Sequence, residues 1–312
     1  MNTRILVSWL FVIFSAQMVS VQAYGALPLI LYALSNKFPD MDIMGASQDA
    51  HDTATQKIIK ENITFADVVG AQNAKNALLD IVNALKHPEA YAAIGAQMPK
   101  GVLLEGKPGN GKTLLAKALA GEAGVDFIAI NGAEFTDIWV GEGVKKVKEL
   151  FAKARAKAPC IIFIDEIDAI GTRGQEFGGG AQTENNRIIA ELLTQLDGMS
   201  TDSSKPIIVV GATNNKNQLD PALLRSGRFD IAVRVEEPTL SERKELIQFY
   251  SKKLKLSDAI DFDTLAAKTK GFSGADCANL VNQAALRAVR RNATCVEQGD
   301  FIEALETCDI RK

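Results

Sequence analysis

The sequence contains very little histidine, and this excludes one class of metal site. Its only histidines are His51 and His87. A zinc site of the H-E-x-x-H kind needs two histidines on one helix face, separated by about one helical turn. Neither histidine has such a partner. We therefore expect no zinc peptidase site within these 312 residues.

Cysteine and net charge are also low. The four cysteines lack the paired spacing of metal ligands, and they are Cys160, Cys277, Cys295 and Cys308. Free thiols in a reducing compartment are the simpler interpretation, so the N-glycosylation sequons at Asn62 and Asn292 are accidental. The formal net charge is −3, which argues against a broad nucleic-acid surface and makes nucleic acid an unlikely partner.

Charge is absent from one long apolar stretch near the N-terminus. Residues 5–34 contain no charged side chain. About twenty apolar residues suffice for one helical crossing of a bilayer, and Gly25 and Pro28 are expected to break the helix near its end. This predicts a membrane anchor within residues 1–35. The polar residues 36–62 that follow are predicted to be a flexible linker.

A cleaved signal peptide is the alternative interpretation of the same stretch. Arg4 then supplies the short basic region, and Val21-Gln22-Ala23 supplies the small-residue cleavage site. Cleavage would secrete the protein, which fits poorly with the phosphate-binding motif described next. We expect a retained anchor.

The most informative segment is a glycine-rich loop with the spacing G-x-x-x-x-G-K-[ST]. Residues 101–104 before it are typical of a buried strand, and residues 114–120 after it are typical of a helix. In that context backbone N–H groups surround a phosphate chain, Lys112 reaches the β- and γ-phosphates, and the Thr113 hydroxyl binds Mg²⁺. A glycine-rich turn without a ligand does not account for the flanking elements. The predicted nucleotide-binding residues here are Gly106, Lys107, Pro108, Gly109, Asn110, Gly111, Lys112, Thr113 and Leu114.

Two carboxylates follow a second apolar run. Residues 160–164 are typical of a central parallel strand, and Asp165 and Glu166 come directly after it. Ligands of open α/β sheets bind beyond this strand end, so Asp165 can hold Mg²⁺ and Glu166 can polarise the attacking water. Helix capping is an alternative role for the acids, because a helix could begin near Asp168. Capping explains one acid but does not explain the pair.

A third apolar run and the segment after it complete the pattern. Residues 207–213 are followed by Asn214, which could lie beside the γ-phosphate. Residues 219–230 read L-D-P-A-L-L-R-S-G-R-F-D. Together with F-A-D-V-V-G at residues 65–70 and G-F-S-G-A-D at residues 271–276, these motifs resemble AAA ATPases. The similarity is greatest to the ATPase module of FtsH-type membrane proteases, and it extends from about residue 64 to about residue 305. Several motifs in one order are far more specific than any single motif.

The resemblance implies roles for individual residues. Asn214 matches the sensor-1 asparagine, which holds the nucleophilic water. Arg225 and Arg228 match the arginine fingers that the family inserts into the neighbouring subunit's ATP site, which implies a ring, usually a hexamer. A guanidinium suits this role because it is always charged and presents a planar fork of donors. A surface ion pair with Asp220 or Asp230 is the alternative.

The resemblance also implies how the nucleotide base and a protein substrate are held. The segments that enclose adenine and ribose correspond to Val69, Gly70, Gly274 and Ala275. The pore loop, in which an aromatic residue grips a translocating polypeptide, corresponds to Trp139, Val140 and Gly141. Packing of the tryptophan onto the core is the alternative. FtsH-type proteins mostly carry phenylalanine at this position.

Some residues differ from the family pattern. These differences remove no group with a direct chemical role, so they affect the expected hydrolysis rate and not the presence of the site. Asn215-Lys216 replaces the usual Arg-Pro after the sensor asparagine, and Lys107 and Asn110 replace a proline and a threonine of the phosphate loop. The zinc protease domain that follows the ATPase in FtsH proteases has no counterpart motif here, as the histidines show. A separate protease partner is a further option that the resemblance raises.

The predicted fold is α/β. We expect a P-loop NTPase domain over residues 63–237, with helices on both faces of a parallel sheet, and a small helical lid over residues 238–312. The N-terminal hydrophobic segment is predicted to be helical. The predicted function is ATP hydrolysis by a membrane-tethered ring that unfolds or extracts proteins, with the ATPase on the ATP-containing side. A nucleotide-switched scaffold and a nucleic-acid remodelling ATPase are the alternatives.

Overall fold

The computed structural model describes residues 58–96, 98–136, 141–171, 180–199 and 205–309. The predicted hydrophobic segment and two of the predicted pore-loop residues, Trp139 and Val140, lie outside these ranges. Within them, no helix is both long enough and apolar enough to cross a bilayer.

Six strands form one sheet in the order β1-β3-β4-β5-β2-β6. Their bounds are β1 Ile58–Ile59, β2 Gly101–Glu105, β3 Asp126–Asn131, β4 Cys160–Asp165, β5 Ile207–Thr213 and β6 Phe229–Arg234. All pairings from β3 to β6 are parallel, as predicted, whereas β1 pairs antiparallel with β3. The central strands are nearly continuous apolar runs because both faces of the sheet are covered.

The short edge strand extends the sheet back into the predicted linker. Ile58 pairs with Ile128, and nearby the Lys117 ammonium forms an ion pair with Glu61 at 3.2 Å. A side chain at Gly121 would collide with the Ile63 carbonyl, so α3, defined below, packs tightly on this segment. Residues 58–63 therefore belong structurally to the sheet domain.

Ten helices occur in the described part of the chain. Their bounds are α1 Gln72–Lys86, α2 Pro88–Ala93, α3 Lys112–Ala123, α4 Glu142–Lys157, α5 Asp168–Gly171, α6 Gly180–Asp197, α7 Leu240–Ser251, α8 Phe262–Lys268, α9 Gly274–Arg290 and α10 Gln298–Asp309. Helices α1 and α3 cover one face of the sheet, and α4 and α6 cover the other. Successive strand residues alternate between the faces, so Leu104 packs in the first layer and Leu103 in the second.

The chain is helical from α7 onward, as the sequence predicts. These helices enclose their own core, which includes Ile247, Leu265, Leu280 and Phe301. Helices α7 and α9 each begin with a capping box, formed by Thr239 with Glu242 and by Ser273 with Asp276. This second core gives the helical part its own stability.

The carboxyl ends of β2, β4 and β5 lie at one edge of the sheet because these strands are parallel neighbours. The glycine-rich loop follows β2, the two carboxylates follow β4, and Asn214 follows β5. The predicted catalytic side chains therefore share one edge. This is where ligands bind in open α/β sheets.

Candidate functional site

The glycine-rich loop joins β2 to the first turn of α3. Gly109 and Gly111 have φ of +80° and +86°, a left-handed conformation that glycine adopts without strain. Helix α3 begins at Lys112, directly after the second of these glycines. A helix N-terminus preceded by such a turn presents backbone N–H groups to an anion. The predicted phosphate-binding loop thus has the backbone conformation that such loops need, with a helix starting directly after it.

The ammonium of Lys112 lies over this loop. Its Nζ donates to the carbonyls of Gly106 and Lys107 at 2.6 and 3.1 Å, and to Asn214 Oδ1 at 2.7 Å. The residue is 8% exposed. Burial lowers the pKa of Lys112, and the nearby carboxylates, Asp165 first, partly oppose that shift. These contacts place the lysine and the sensor asparagine side by side.

The hydroxyl of Thr113 and the carboxylate of Asp165 are in direct contact. Thr113 Oγ1 donates to Asp165 Oδ2 at 2.8 Å. Both groups offer hard oxygen atoms, the donors that Mg²⁺ prefers, and both stand beside the phosphate-binding loop. The donor set therefore fits a magnesium ion carried in with the nucleotide.

Glu166 has an unusual backbone conformation. Its φ is +50°, in the left-handed region where a residue with a side chain is strained. The carbonyl of Glu166 packs against Gly132, where an added Cβ would come within 2.4 Å of that oxygen. The Asn131 side-chain amide donates to Glu166 Oε2 at 3.3 Å. Neighbours on the β3 side therefore hold both the backbone and the carboxylate of Glu166.

One cavity of about 760 Å³ collects nearly all the predicted nucleotide residues. A volume of this size is typical of small-molecule sites. Of the predicted residues, Gly106 and Lys107 are outside the cavity wall, but their carbonyls hold Lys112. Those in the wall are Val69, Gly70, Pro108, Gly109, Asn110, Gly111, Lys112, Thr113, Leu114, Asp165, Glu166, Asn214, Gly274 and Ala275.

The helical lid closes one side of this cavity. The backbone N–H of Ala275 donates to the Gly109 carbonyl at 3.1 Å. Glu242 accepts hydrogen bonds from the backbone N–H groups of Ala71 and Thr239, at 2.9 and 2.8 Å. Its carboxylate thus joins the segment before α1 to the first turn of the lid. The T-x-x-E capping pattern was a detectable signal for this residue, which sequence reasoning missed.

The two departures in the phosphate loop contact the segment that leads into the lid. Asn110 Nδ2 donates to the Val235 carbonyl at 3.3 Å, and Lys107 forms an exposed ion pair with Glu237. Neither side chain obstructs the loop. Both departures therefore connect the loop to residues 235–237.

The predicted arginine fingers lie outside the cavity wall. Arg228 forms a bidentate ion pair with Asp197 at 2.9 and 2.7 Å, so its partner is neither of the two acids considered from the sequence. That hydrogen bonding raises the pKa of Arg228. Arg225 is exposed and makes no side-chain hydrogen bond or ion pair to any residue in the described ranges. The arginine in the cavity wall itself is Arg234, which the sequence did not single out.

Gly141 is the part of the predicted pore loop that the structure describes. It precedes α4 with φ of +93°, and its N–H donates to Glu184 Oε1 at 2.7 Å. Glu184 lies on α6, which begins at Gly180. This hydrogen bond therefore connects Gly141, the last residue of the predicted pore loop, to helix α6.

Comparison with known proteins decides the family. Residues 102–237 match the ATPase family associated with various cellular activities (AAA), and residues 259–303 match the AAA+ lid domain. The chain belongs to the AAA ATPase family. ATP hydrolysis is the reaction of this AAA module, and the cavity described above is its candidate nucleotide site.

The relatives of this AAA ATPase are of the FtsH type. It is 49% identical over 245 residues to the ATP-dependent zinc metalloprotease FtsH 4 of Synechocystis sp., covering 78% of this chain and 39% of the relative. It is 47% identical over 271 residues to FtsH of Paraburkholderia phymatum, covering 86% of this chain and 41% of the relative. It is 50% identical over 249 residues to the chloroplastic FTSH 7 of Arabidopsis thaliana, covering 79% of this chain and 31% of the relative. The chain thus spans about two fifths or less of these relatives, and the module is an FtsH-like AAA ATPase.

Proposed function

We propose that this AAA ATPase works as a homo-oligomeric ring, a hexamer, which uses ATP and Mg²⁺ to unfold, extract or remodel proteins. Residues 63–237 are the catalytic domain of this proposal, and residues 238–312 are the lid. Residues 5–34 anchor the chain to a membrane, with the ATPase on the ATP-containing side.

The chemistry follows from the positions of the side chains. Thr113 and Asp165 would hold Mg²⁺ bound with the nucleotide, and the ion would neutralise phosphate charge. Lys112 and the N–H groups of the loop hold the phosphate oxygens. Glu166 orients the attacking water and accepts its proton, and Asn214 holds that water beside the γ-phosphate. The water oxygen bonds to phosphorus as the bond to the ADP oxygen breaks, and the proton then leaves Glu166 for solvent.

One observation carries the ring. The cavity wall holds the loop, both carboxylates and the sensor asparagine, but neither Arg225 nor Arg228 belongs to it. Stabilisation of a transferring phosphoryl group by a guanidinium is worth about 10³–10⁵ in rate, so a site without its finger is incomplete. A neighbouring copy can supply that finger. The competing supplier is Arg234, which lies in the same chain's cavity wall.

Protein substrates are the proposed cargo. The similar proteins are named ATP-dependent zinc metalloproteases, which act on proteins. The pore loop around Trp139 supplies the grip, because a large amphipathic aromatic ring binds unfolded segments without sequence preference. A separate protease, acting on the threaded chain, is a partner that this function accommodates.

The full-length chain tests the proposal by steady-state hydrolysis. Glu166→Gln and Arg225→Ala should each lower kcat at least a hundredfold, with assembly measured by light scattering. Arg290→Ala is the matched control, since Arg290 is an exposed lid residue whose side chain makes no hydrogen bond to the described residues. Loss of activity in Arg234→Ala together with full activity in both Arg225→Ala and Arg228→Ala would refute action between subunits.

Unfolding of a tagged fluorescent protein tests the choice of cargo. Trp139→Ala should abolish ATP-dependent unfolding while hydrolysis continues. Stimulation of hydrolysis by DNA or RNA would instead support nucleic-acid remodelling, and ATP binding without turnover would support a scaffold. Protease accessibility of the chain in sealed membranes tests the anchor, because the proposal places the whole ATPase on one side.

A further inference from the structure

Arg225 and Arg228 differ in what they touch, although they lie three residues apart. Arg228 uses all three nitrogen atoms of its guanidinium: Nε and Nη2 donate to the two oxygens of Asp197, and Nη1 donates to the Ala222 carbonyl at 2.7 Å. The side chain of Arg228 is 18% exposed. Charge-assisted bidentate pairs are the strong and directional kind of ion pair. Arg228 is therefore committed within its own subunit.

The same residue closes the turn that carries Arg225. The N–H of Arg228 donates to the Arg225 carbonyl at 3.1 Å, and the N–H of Phe229 donates to the Leu223 carbonyl at 3.0 Å. The guanidinium adds a third tie, to Ala222 at the other end of the turn. Asp197 is the last residue of α6, so the bidentate pair fixes this turn to the end of that helix. Arg225, within the turn, is exposed, and its side chain makes no hydrogen bond or ion pair with the part of the chain that the structure describes.

From these contacts we propose that Arg225 alone reaches the neighbouring subunit's nucleotide, and that Asp197 is a positioning residue which acts through Arg228. Asp197 and Arg228 form a strut that sets the path of residues 222–228. This inference rests on the proposed ring, because a finger needs a neighbour. The pKa of Asp197 is lowered by its hydrogen bonds from Arg228.

The strut explains why Arg228 is a poor finger. To touch a neighbour's phosphate it would have to release two charge-assisted hydrogen bonds and the bond to Ala222. Arg225 gives up no such contact. A side chain that needs no release binds the transition state with a smaller cost of reorganisation.

Kinetics of the full-length chain test the inference through a double-mutant cycle. Arg225→Ala should lower kcat at least a hundredfold. Asp197→Asn should lower kcat about tenfold, with the KM for ATP changed less than twofold, because the nucleotide-binding groups are untouched. Asp197→Asn added to Arg225→Ala should cause no further loss, since a misplaced turn no longer carries a finger. Asp258→Asn is the matched control, an exposed acid on a lid loop.

A charge swap separates the strut from direct contact. Asp197→Arg combined with Arg228→Asp restores the ion pair but removes the guanidinium at position 228. Recovery of kcat at least threefold above either single variant supports the strut, and this readout remains decisive if Asp197→Asn folds poorly. If the charge-swapped double variant stays inactive and Arg225→Ala is fully active, the inference is wrong and Arg228 is the finger. The proposed ring would not be affected by that result. Wild-type kcat in Asp197→Asn also overturns it. Full activity in both Arg225→Ala and Arg228→Ala would instead defeat the proposed ring function.

Discussion

Replacement of Gly132 by alanine should displace the backbone of Asp165 and Glu166, the two predicted catalytic carboxylates. Gly132 lies directly after β3, and a Cβ built on it would stand 2.4 Å from the Glu166 carbonyl oxygen and 3.2 Å from that of Asp165. Real Cβ atoms do not approach other atoms closer than 3.0 Å. The two backbones must therefore separate by about 0.6 Å, and neither atom belongs to a flexible side chain that could swing away.

The size of the effect follows from that displacement. Overpacking of a tight core costs about 1–3 kcal/mol in the free energy of unfolding, and we expect Gly132→Ala to fall in this range. Misplacement of a catalytic group by about 1 Å lowers rates about a hundredfold, so a shift of about 0.6 Å should lower kcat about tenfold. The KM for ATP should change little, because the phosphate-binding loop is on another strand.

Urea unfolding and steady-state hydrolysis measure both quantities. Gly299→Ala is the matched control: Gly299 lies in α10, and an added Cβ meets nothing within 4 Å. Alanine should stabilise that helix by about 0.5–1 kcal/mol and leave kcat unchanged. Gly132→Ala with wild-type stability and wild-type kcat would refute the reasoning.

Three further predictions concern the core, the lid and the loop. Burial raises the pKa of the Cys160 thiol to about 12, so Cys160 should resist alkylation at pH 8 until the chain unfolds. The half-buried Cys295 should react early. Mass spectrometry of labelled peptides would show the order of reaction, and equal rates for the two cysteines would contradict the prediction. The same shift means that any stability from the Cys160 proton is present below pH 9.0, its ordinary pKa, and is lost as pH rises towards 12. Arg243→Met should cost about 1–3 kcal/mol in urea unfolding, because methionine has no donor for the two backbone carbonyls that the buried guanidinium serves. The Pro238 carbonyl loses its bond from Arg243, whereas the Ala266 carbonyl keeps a bond from Thr269 Oγ1. An unchanged midpoint would contradict this prediction. Lys107→Ala breaks an exposed pair with Glu237 and should change the free energy of unfolding by less than about 1 kcal/mol, and a larger loss would show that the tie to the lid segment is structural.

Much of the fold could be predicted because its signals are local. Apolar runs predicted β2, β4 and β5, and the order of loop, carboxylates and asparagine at strand ends predicted which edge of the sheet carries the candidate site. The short helix at Asp168–Gly171 also begins where an acid suggested it. The pairing of Ile58 with Ile128 was not predictable, because two residues carry no periodicity and the partner strand is distant in the chain.

The supporting residues of the site were missed for a similar reason. Asn131, Gly132 and Asp197 act through contacts with residues that are 35, 34 and 31 positions away. Glycine or aspartate at such positions is unremarkable in the sequence, and only the folded chain shows what each one meets. Motifs predicted the candidate nucleotide-binding groups, most of which line one cavity, whereas tertiary packing decides how those groups are held.

Mixing of two inactive variants tests the central claim most directly, namely that each subunit completes its neighbour's site. Glu166→Gln subunits keep Arg225 but cannot hydrolyse, and Arg225→Ala subunits keep an intact pocket but lack the finger. In an equal mixture about a quarter of all sites combine an intact pocket with a neighbour's arginine, so hydrolysis should reappear at up to that fraction of the wild-type rate. A mixture as inactive as its two components, with mixed assembly demonstrated, would contradict the account.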